Sequence, residues 1–282
     1  MKWSKFILPA LVPLALVGCL DSGSSSGDGD GNDITFDPIS YVGEGSTLAT
    51  FSTSNQEDFV GLLQVLAEIE ESTDNIEEGL WTAAGFGDED TSGNKTLNGS
   101  CGGTVSFVFS VEGNGDYTET ITADDYCDKN VFGTEVALDG KLVITGNYTG
   151  EDHTRHGFAY TDFYFVAESE ETDMGLDGTI SYNYLLTQRT TNVDLAIVDR
   201  TVSKSGFVDV DRRNDGDNGP KSFDGTVHVK DQGKANLTTT MESNSWDEGR
   251  PTNGVLVFQG TNILTVTLQP GEPLLVITPY TP

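Results

Sequence analysis

Four sets of residues in this 282-residue chain have types and spacings that chemistry can use. The first is Glu151-Asp152-His153-Thr154-Arg155-His156, which holds two of the three histidines beside carboxylates. His-x-x-His with an acid as third ligand is a zinc-type donor set. On an extended backbone, positions 153 and 156 point to opposite faces, which opposes a shared ion. A solvated polar loop is the stronger reading. The second set is Asp209, Asp211, Asp215 and Asp217 in DVDRRNDGDNG. Hard cations want several oxygens, so Ca2+ is the one cofactor the sequence offers. Arg212, Arg213 and Lys221 partly neutralise the acids, and no bidentate Glu sits at the calcium-loop offset; an ordinary polar loop is again preferred. The third set is the cysteines, Cys19, Cys101 and Cys127. The fourth is the aromatics Tyr160 and Tyr164, which could stack on a sugar, although alternation assigns them to a core. No G-x-S-x-G elbow, H-E-x-x-H, Walker loop or dinucleotide-binding glycine motif is present. No catalytic residue is assigned, because a carboxylate pair for sugar hydrolysis cannot be picked from 45 acids by sequence.

What positions Cys19 is a targeting segment. Lys2 and Lys5 precede an apolar run from Phe6 to Val17, broken by Pro9 and Pro13. The run is too short for a spanning helix, which needs about 20 residues, and suits a signal peptide. It ends in Leu16-Val17-Gly18-Cys19. This end resembles the lipobox of bacterial lipoproteins. The resemblance implies cleavage between Gly18 and Cys19, acylation of Cys19 with palmitate-type chains, and handling by the lipoprotein processing and sorting machinery. Each buried CH₂ contributes roughly 0.8 kcal/mol, so several chains hold where one binds marginally. Leu20 follows the cysteine where an Asp would signal inner-membrane retention, so the outer membrane of a Gram-negative envelope is expected.

Claiming Cys19 for lipid leaves Cys101 and Cys127 as an even pair in an oxidising compartment, where a disulfide is the default. Closing a loop of that length stabilises by roughly 3–4 kcal/mol in the chain-entropy model. The chain has 45 acidic and 15 basic residues and a formal charge of −30. Residues 1–18 carry two lysines and no acids, so their removal takes the charge to −32. Nucleic acid is excluded as a partner for want of basic patches. The membrane is met through lipid, because an anionic surface repels the body. High acidity also keeps an exported protein soluble.

The organisation follows in order. Residues 1–18 are the signal peptide, and 19–40 hold the lipidated cysteine and a Gly/Ser/Asp linker that cannot bury a core. Residues 41–282 form one β-rich domain with a helix at about 55–71. Ser54-Asn55-Gln56-Glu57 reads as a capping box, and Phe59, Leu62, Leu63, Leu66 and Ile69 fall at helical spacing. Glu68, Glu70, Glu71 and Asp74 crowd its C-terminal side, where the dipole disfavours acids, and predict fraying after about residue 71. From Gly103 the texture is strand-like, with apolar residues at 105, 107, 109 and 111. Asn114-Gly115 predicts a hairpin turn. Asp139-Gly140, Asp177-Gly178, Asp224-Gly225 and Asn253-Gly254 read as further hairpin turns at irregular spacing, which excludes a propeller or solenoid.

The body resembles a loose group of uncharacterised β-rich exported bacterial lipoproteins with a lipobox, paired cysteines, Asp-Gly and Asn-Gly turns and a Pro-x-x-Gly unit, here Pro251 to Gly260. That resemblance carries no activity. The expected fold is mainly β: an antiparallel meander sheet, open or closed and barrel-like, around one N-terminal helix, with a two-sheet sandwich as alternative. A transmembrane barrel is disfavoured because many strands read as too short. The expected function is a membrane-anchored, non-catalytic envelope lipoprotein with a binding or structural role. A hydrolase acting on polysaccharide and a carrier of lipid or another apolar ligand are the alternatives.

Overall fold

The computed structural model describes residues 46–282, apart from 88–89, 129–135, 150–151, 168–171, 186–187, 201–203, 215–220, 243–245, 248–249, 252, 270–272 and 281–282. The signal segment, Cys19 and the linker therefore lie outside the described residues.

Helix α1 spans Gln56–Ala84. At 29 residues it is about 43 Å long, well beyond the expected end near residue 71. The acids did not decide its length, because the buried stripe continues. Phe59, Leu62, Leu66, Ile69, Ile76, Leu80 and Ala84 are all buried, and removing such side chains from water contributes roughly 1.5–3 kcal/mol each. Gly85, at φ 70°, ends the helix in the left-handed conformation, its N–H bonded to Thr82 O. The expected capping box is absent. Asn55 occupies the N-cap without a side-chain cap bond and turns backward, accepting from Ser52 N at 2.8 Å and donating to Thr50 O at 3.0 Å.

The strands are β1 (Ser92–Asn98), β2 (Gly102–Val111), β3 (Asp116–Asp128), β4 (Val136–Thr149), β5 (Asp152–Ala167), β6 (Thr172–Leu185), β7 (Gln188–Asp199) and β8 (Lys204–Asn214). They continue with β9 (Lys221–Val229), β10 (Gly233–Met241), the short β11 (Trp246–Asp247) and β12 (Arg250–Pro251), then β13 (Val255–Gln259), β14 (Asn262–Thr267) and β15 (Leu274–Pro279). Thirteen form one antiparallel meander, each strand paired with the next in sequence, while β11 and β12 pair as a separate ribbon after β10. The sheet is mainly β in the expected sense and does not close, with β1 and β15 as its edges. A single core joins α1 to inward residues from β2 through β14, so the sheet curls around the helix.

Two expectations about the strands fail together. Asp139-Gly140, Asp177-Gly178 and Asp224-Gly225 are not hairpin turns but lie inside β4, β6 and β9. Gly140 has φ 87°, and the β4–β5 register slips beside it. A Cβ there would stand 2.0 Å from Asp162 O, so the glycine marks a bulge where two backbones approach closely. Strands β4 and β6 run through these glycines for 14 residues each, and β5 between them reaches 16, so shortness is no argument against a lipid-facing barrel. The outward chemistry speaks instead: Thr118, Thr122, Thr145, Thr179, Asp194 and Asp209 are exposed polar positions where such a barrel carries apolar ones. Asn114-Gly115 does turn between β2 and β3 as expected.

Candidate functional site

Strand β3 sends Tyr117, Glu119, Ile121 and Ala123 inward by simple alternation, and all four are buried. Glu119 is the charged member, only 4% exposed. Facing it from α1 is Glu77, one position after buried Ile76 and three before buried Leu80. The two carboxyls lie within reach of each other, close enough to share a proton. Glu77 as a residue keeps part of its surface exposed, but its carboxyl is enclosed by protein. Burial, reinforced by Glu119, holds the Glu77 carboxyl well above its usual range. Burial raises Glu119 as well, and a proton shared from Glu77 offsets part of that. Oε2 of Glu119 has no hydrogen-bond partner. Carboxyls this close in such a place cannot both ionise cheaply, so the pair retains a proton.

Aromatic rings surround the pair. Tyr117 stacks on Tyr148 with centroids 4.9 Å apart. The Tyr117 hydroxyl lies 2.5 Å from His156 Nδ1. His156 meets Phe158 edge-on at 4.5 Å, and Tyr182 stacks on Tyr184 at 6.3 Å. Burial pushes both the Tyr117 and Tyr148 hydroxyls up, which keeps them neutral. The pairing register sets these residues in one row across the sheet: Tyr117, Gly146, His156, Tyr182, Thr191, Arg212 and Phe223. Gly146 belongs there because the Tyr117 ring occupies the space of a Cβ, 2.3 Å away. This row forms a polar mouth at one end of the core.

The expected histidine loop is thus a strand. His156 faces inward from β5 and hydrogen-bonds Tyr117. The expected aspartate loop begins as strand β8, with Asp209 and Asp211 exposed on its outer side, while Asp215 and Asp217 lie outside the described residues. Asp211 pairs in register with Asp224 and accepts from Asn192 Nδ2. Among the described residues, no group of three His, Cys, Asp or Glu is arranged to hold a metal ion. Around Asp211 is an open trough of about 480 Å³, lined by Thr190, Asn192, Arg213, Ser222, Asp224 and Glu242 among others. Tyr160 belongs to the core as expected, and its OH hydrogen-bonds Thr73 of α1 at 3.0 Å. Tyr164 is buried but lies outside the core. The strand slips register between Tyr160 and Phe163, so Phe163 and Phe165 take the inward positions and Tyr164 is left against Asp173 and Arg200. Cys101 and Cys127 are disulfide-bonded, Cα atoms 5.2 Å apart, at the open end of the β2–β3 hairpin.

The carboxylate pair was missed by sequence reasoning, although β3 carries a signal. Glu119 shares its parity with Tyr117, Ile121 and Ala123, and a charge on an apolar parity is the informative exception. As sugar-cleaving machinery the pair is too close, since retaining glycosidases separate their carboxyls by about 5–5.5 Å and inverting ones by more. An apolar carrier needs the volume inside the sheet, which α1 fills with its own side chains.

Residues 117–161 match the FG-GAP repeat family. The match covers β3, β4 and most of β5, a minor part of the chain that runs here within one continuous meander. No curated protein and no solved structure matches the chain.

Proposed function

We propose that this protein is a lipid-anchored, non-catalytic component of the cell envelope that works through the outer surface of its β body. The observation that carries the reading is the packing of α1 into the concave side of the sheet. A core filled this way leaves the outward face as the working surface. The lipobox-like Leu16-Val17-Gly18-Cys19 supplies the tether, and the acidic body stands off an anionic membrane beyond the linker. Outer-membrane placement in a Gram-negative envelope rests on Leu20 after the cysteine. The test is expression in a Gram-negative host with labelled palmitate. Label should enter the protein, globomycin should trap the longer precursor, and Cys19→Ala should abolish both label and membrane association. A Cys19→Ala protein that still fractionates with membranes would overturn the anchor.

A second reading is favoured by the trough. Its hydroxyl, amide, carboxylate and guanidinium groups suit a hydrated polyhydroxyl ligand, and its size falls within the usual range for small-ligand sites. Polysaccharide is then something this surface holds. Binding to a panel of soluble glycans, lost on Asp224→Ala with the melting temperature unchanged, would support it. Glycan cleavage that survives purification and is lost with the same substitution would favour the hydrolase instead.

A further inference from the structure

The Glu77–Glu119 pair joins α1 to the sheet. Glu77 lies in the last third of α1, and Glu119 lies near the start of β3. Among the described residues, polar links tie α1 to the sheet side near its start, its middle and its last third. Gln232 Nε2 donates to Asp58 Oδ2 at 2.7 Å near the helix start, Thr73 shares a hydrogen bond with Tyr160, and Glu77 lies within proton-sharing reach of Glu119. The first two survive any ordinary pH. The third exists only while one carboxyl carries a proton, because a carboxylate cannot donate.

We propose that Glu77 and Glu119 are a proton-binding latch: one shared proton fastens the C-terminal half of α1 to β3, and loss of that proton loosens it. The surroundings favour retention of the proton over a wide range. From α1, the charged groups acting on Glu77 besides Glu119 are Asp74 and Glu78, both acidic. From the sheet, the titratable groups are Tyr117 of β3, Tyr148 of β4, His156 of β5 and Tyr184 of β6. The tyrosines are neutral, so they offer dipoles and no countercharge. The orphaned Oε2 of Glu119 matters here. A second negative charge on this pair would have little solvent and only neutral tyrosine hydroxyls to receive it.

The sign follows. Both carboxyls bind protons more tightly in the folded chain than in the unfolded one. The stability they contribute is therefore complete below the unfolded carboxyl range, near 4.3, and is lost as pH rises through the pair's raised value. Other carboxylates in the chain that ionise in the ordinary range do so below about pH 5.5. Histidine also titrates above that pH, so the signature of the pair is a decline there that Glu119→Gln removes and His156→Gln leaves in place.

Hydrogen exchange read by mass spectrometry on the full chain tests this, with rates corrected for intrinsic pH dependence. Between pH 5.5 and 9, amides of Thr73–Ala84 should lose at least tenfold in protection, while those of Gln56–Gln64 hold. Glu119→Gln should flatten the response, because an amide donates at every pH. Glu77→Gln supplies the same test from the helix side should Glu119→Gln fail to fold. Protection in the unsubstituted chain that is independent of pH would overturn the latch. So would equal loss along both halves of α1, or a response that persists in both glutamine variants.

Discussion

The two ends of this core are built from different chemistry. At one end the register stacks Tyr126, Leu138, Phe165 and Met174 in a mainly apolar row that runs on to buried Asp199, with Phe163, Leu176 and Ile197 in the next. Phe163, Leu176 and Ile197 are fully buried, and the Cys101–Cys127 bond closes the hairpin beside them. At the other end, Tyr117, Glu119, His156 and Tyr182 take the equivalent inward positions. The strands, their direction and the helix they wrap are shared, so backbone architecture does not explain the contrast. What differs is coupling to solvent conditions. Apolar burial hardly depends on pH, while a buried acid pair is stable only in one protonation state.

The largest effect should come from the closed end. Phe163→Ala removes a fully buried ring and should cost about 3–5 kcal/mol, read as a shift in urea midpoint at constant slope. The shift should be the same at pH 5.5 and pH 8. A strong pH dependence there would erase the distinction between the ends. Next is the disulfide. Cys101→Ala with Cys127→Ala should cost about 2–4 kcal/mol, and dithiothreitol should reproduce the loss. Full resistance to reductant with an unchanged midpoint would show that the β2–β3 pairing alone secures this end.

How much of this was visible in the sequence depends on which rule the tertiary structure obeys. Val105 to Val111 alternates as a half-buried strand must, and it is β2. The pairing of Cys101 with Cys127 was expected from the count once Cys19 is set aside, and the two are bonded. The helix end was misread because acids near residue 71 argue for fraying locally, while Ile76, Leu80 and Ala84 are held by the sheet from outside. Asp-Gly was misread for a different reason. Positive φ is required by hairpin turns and by bulges alike, and only the partner strand decides which. Glu119 was legible in principle from its parity, but Glu77 was not, since nothing in the helix pattern marks which acid of a crowded segment turns inward.

The third effect sharpens the comparison at the mouth. Glu77→Leu combined with Glu119→Leu replaces the acid pair with carbon and makes the mouth resemble the closed end. Swapping buried ionisable groups for apolar ones of similar size is often neutral or stabilising by about 1–4 kcal/mol. The gain should be small at pH 5.5 and larger at pH 8, where the unsubstituted pair is losing its proton. A double variant that is less stable at every pH would mean that hydrogen bonding in the mouth, rather than its desolvation, dominates.

The smallest effect separates charge from hydrogen bonding at the rim. Asp116 accepts from Asn147 Nδ2 and Asn114 Nδ2, each at 2.8 Å, and from Arg155. These bonds hold its carboxyl below the usual range, Asn147 first and Arg155 second. A depressed carboxyl contributes stability above its unfolded value and loses it as pH falls through the folded one. Asn147→Ala should therefore raise the Asp116 pKa more than Arg155→Gln does, followed by carboxyl carbon chemical shifts during an acid titration. Neither change should move the urea midpoint at pH 7 measurably, because exposed pairs of this kind contribute little. If Arg155→Gln has the larger effect, the rim is held by charge and should weaken in salt. If Asn147→Ala does, the rim is a neutral hydrogen-bond network, insensitive to ionic strength, and pH sensitivity at this end of the core belongs to the buried acids beneath it.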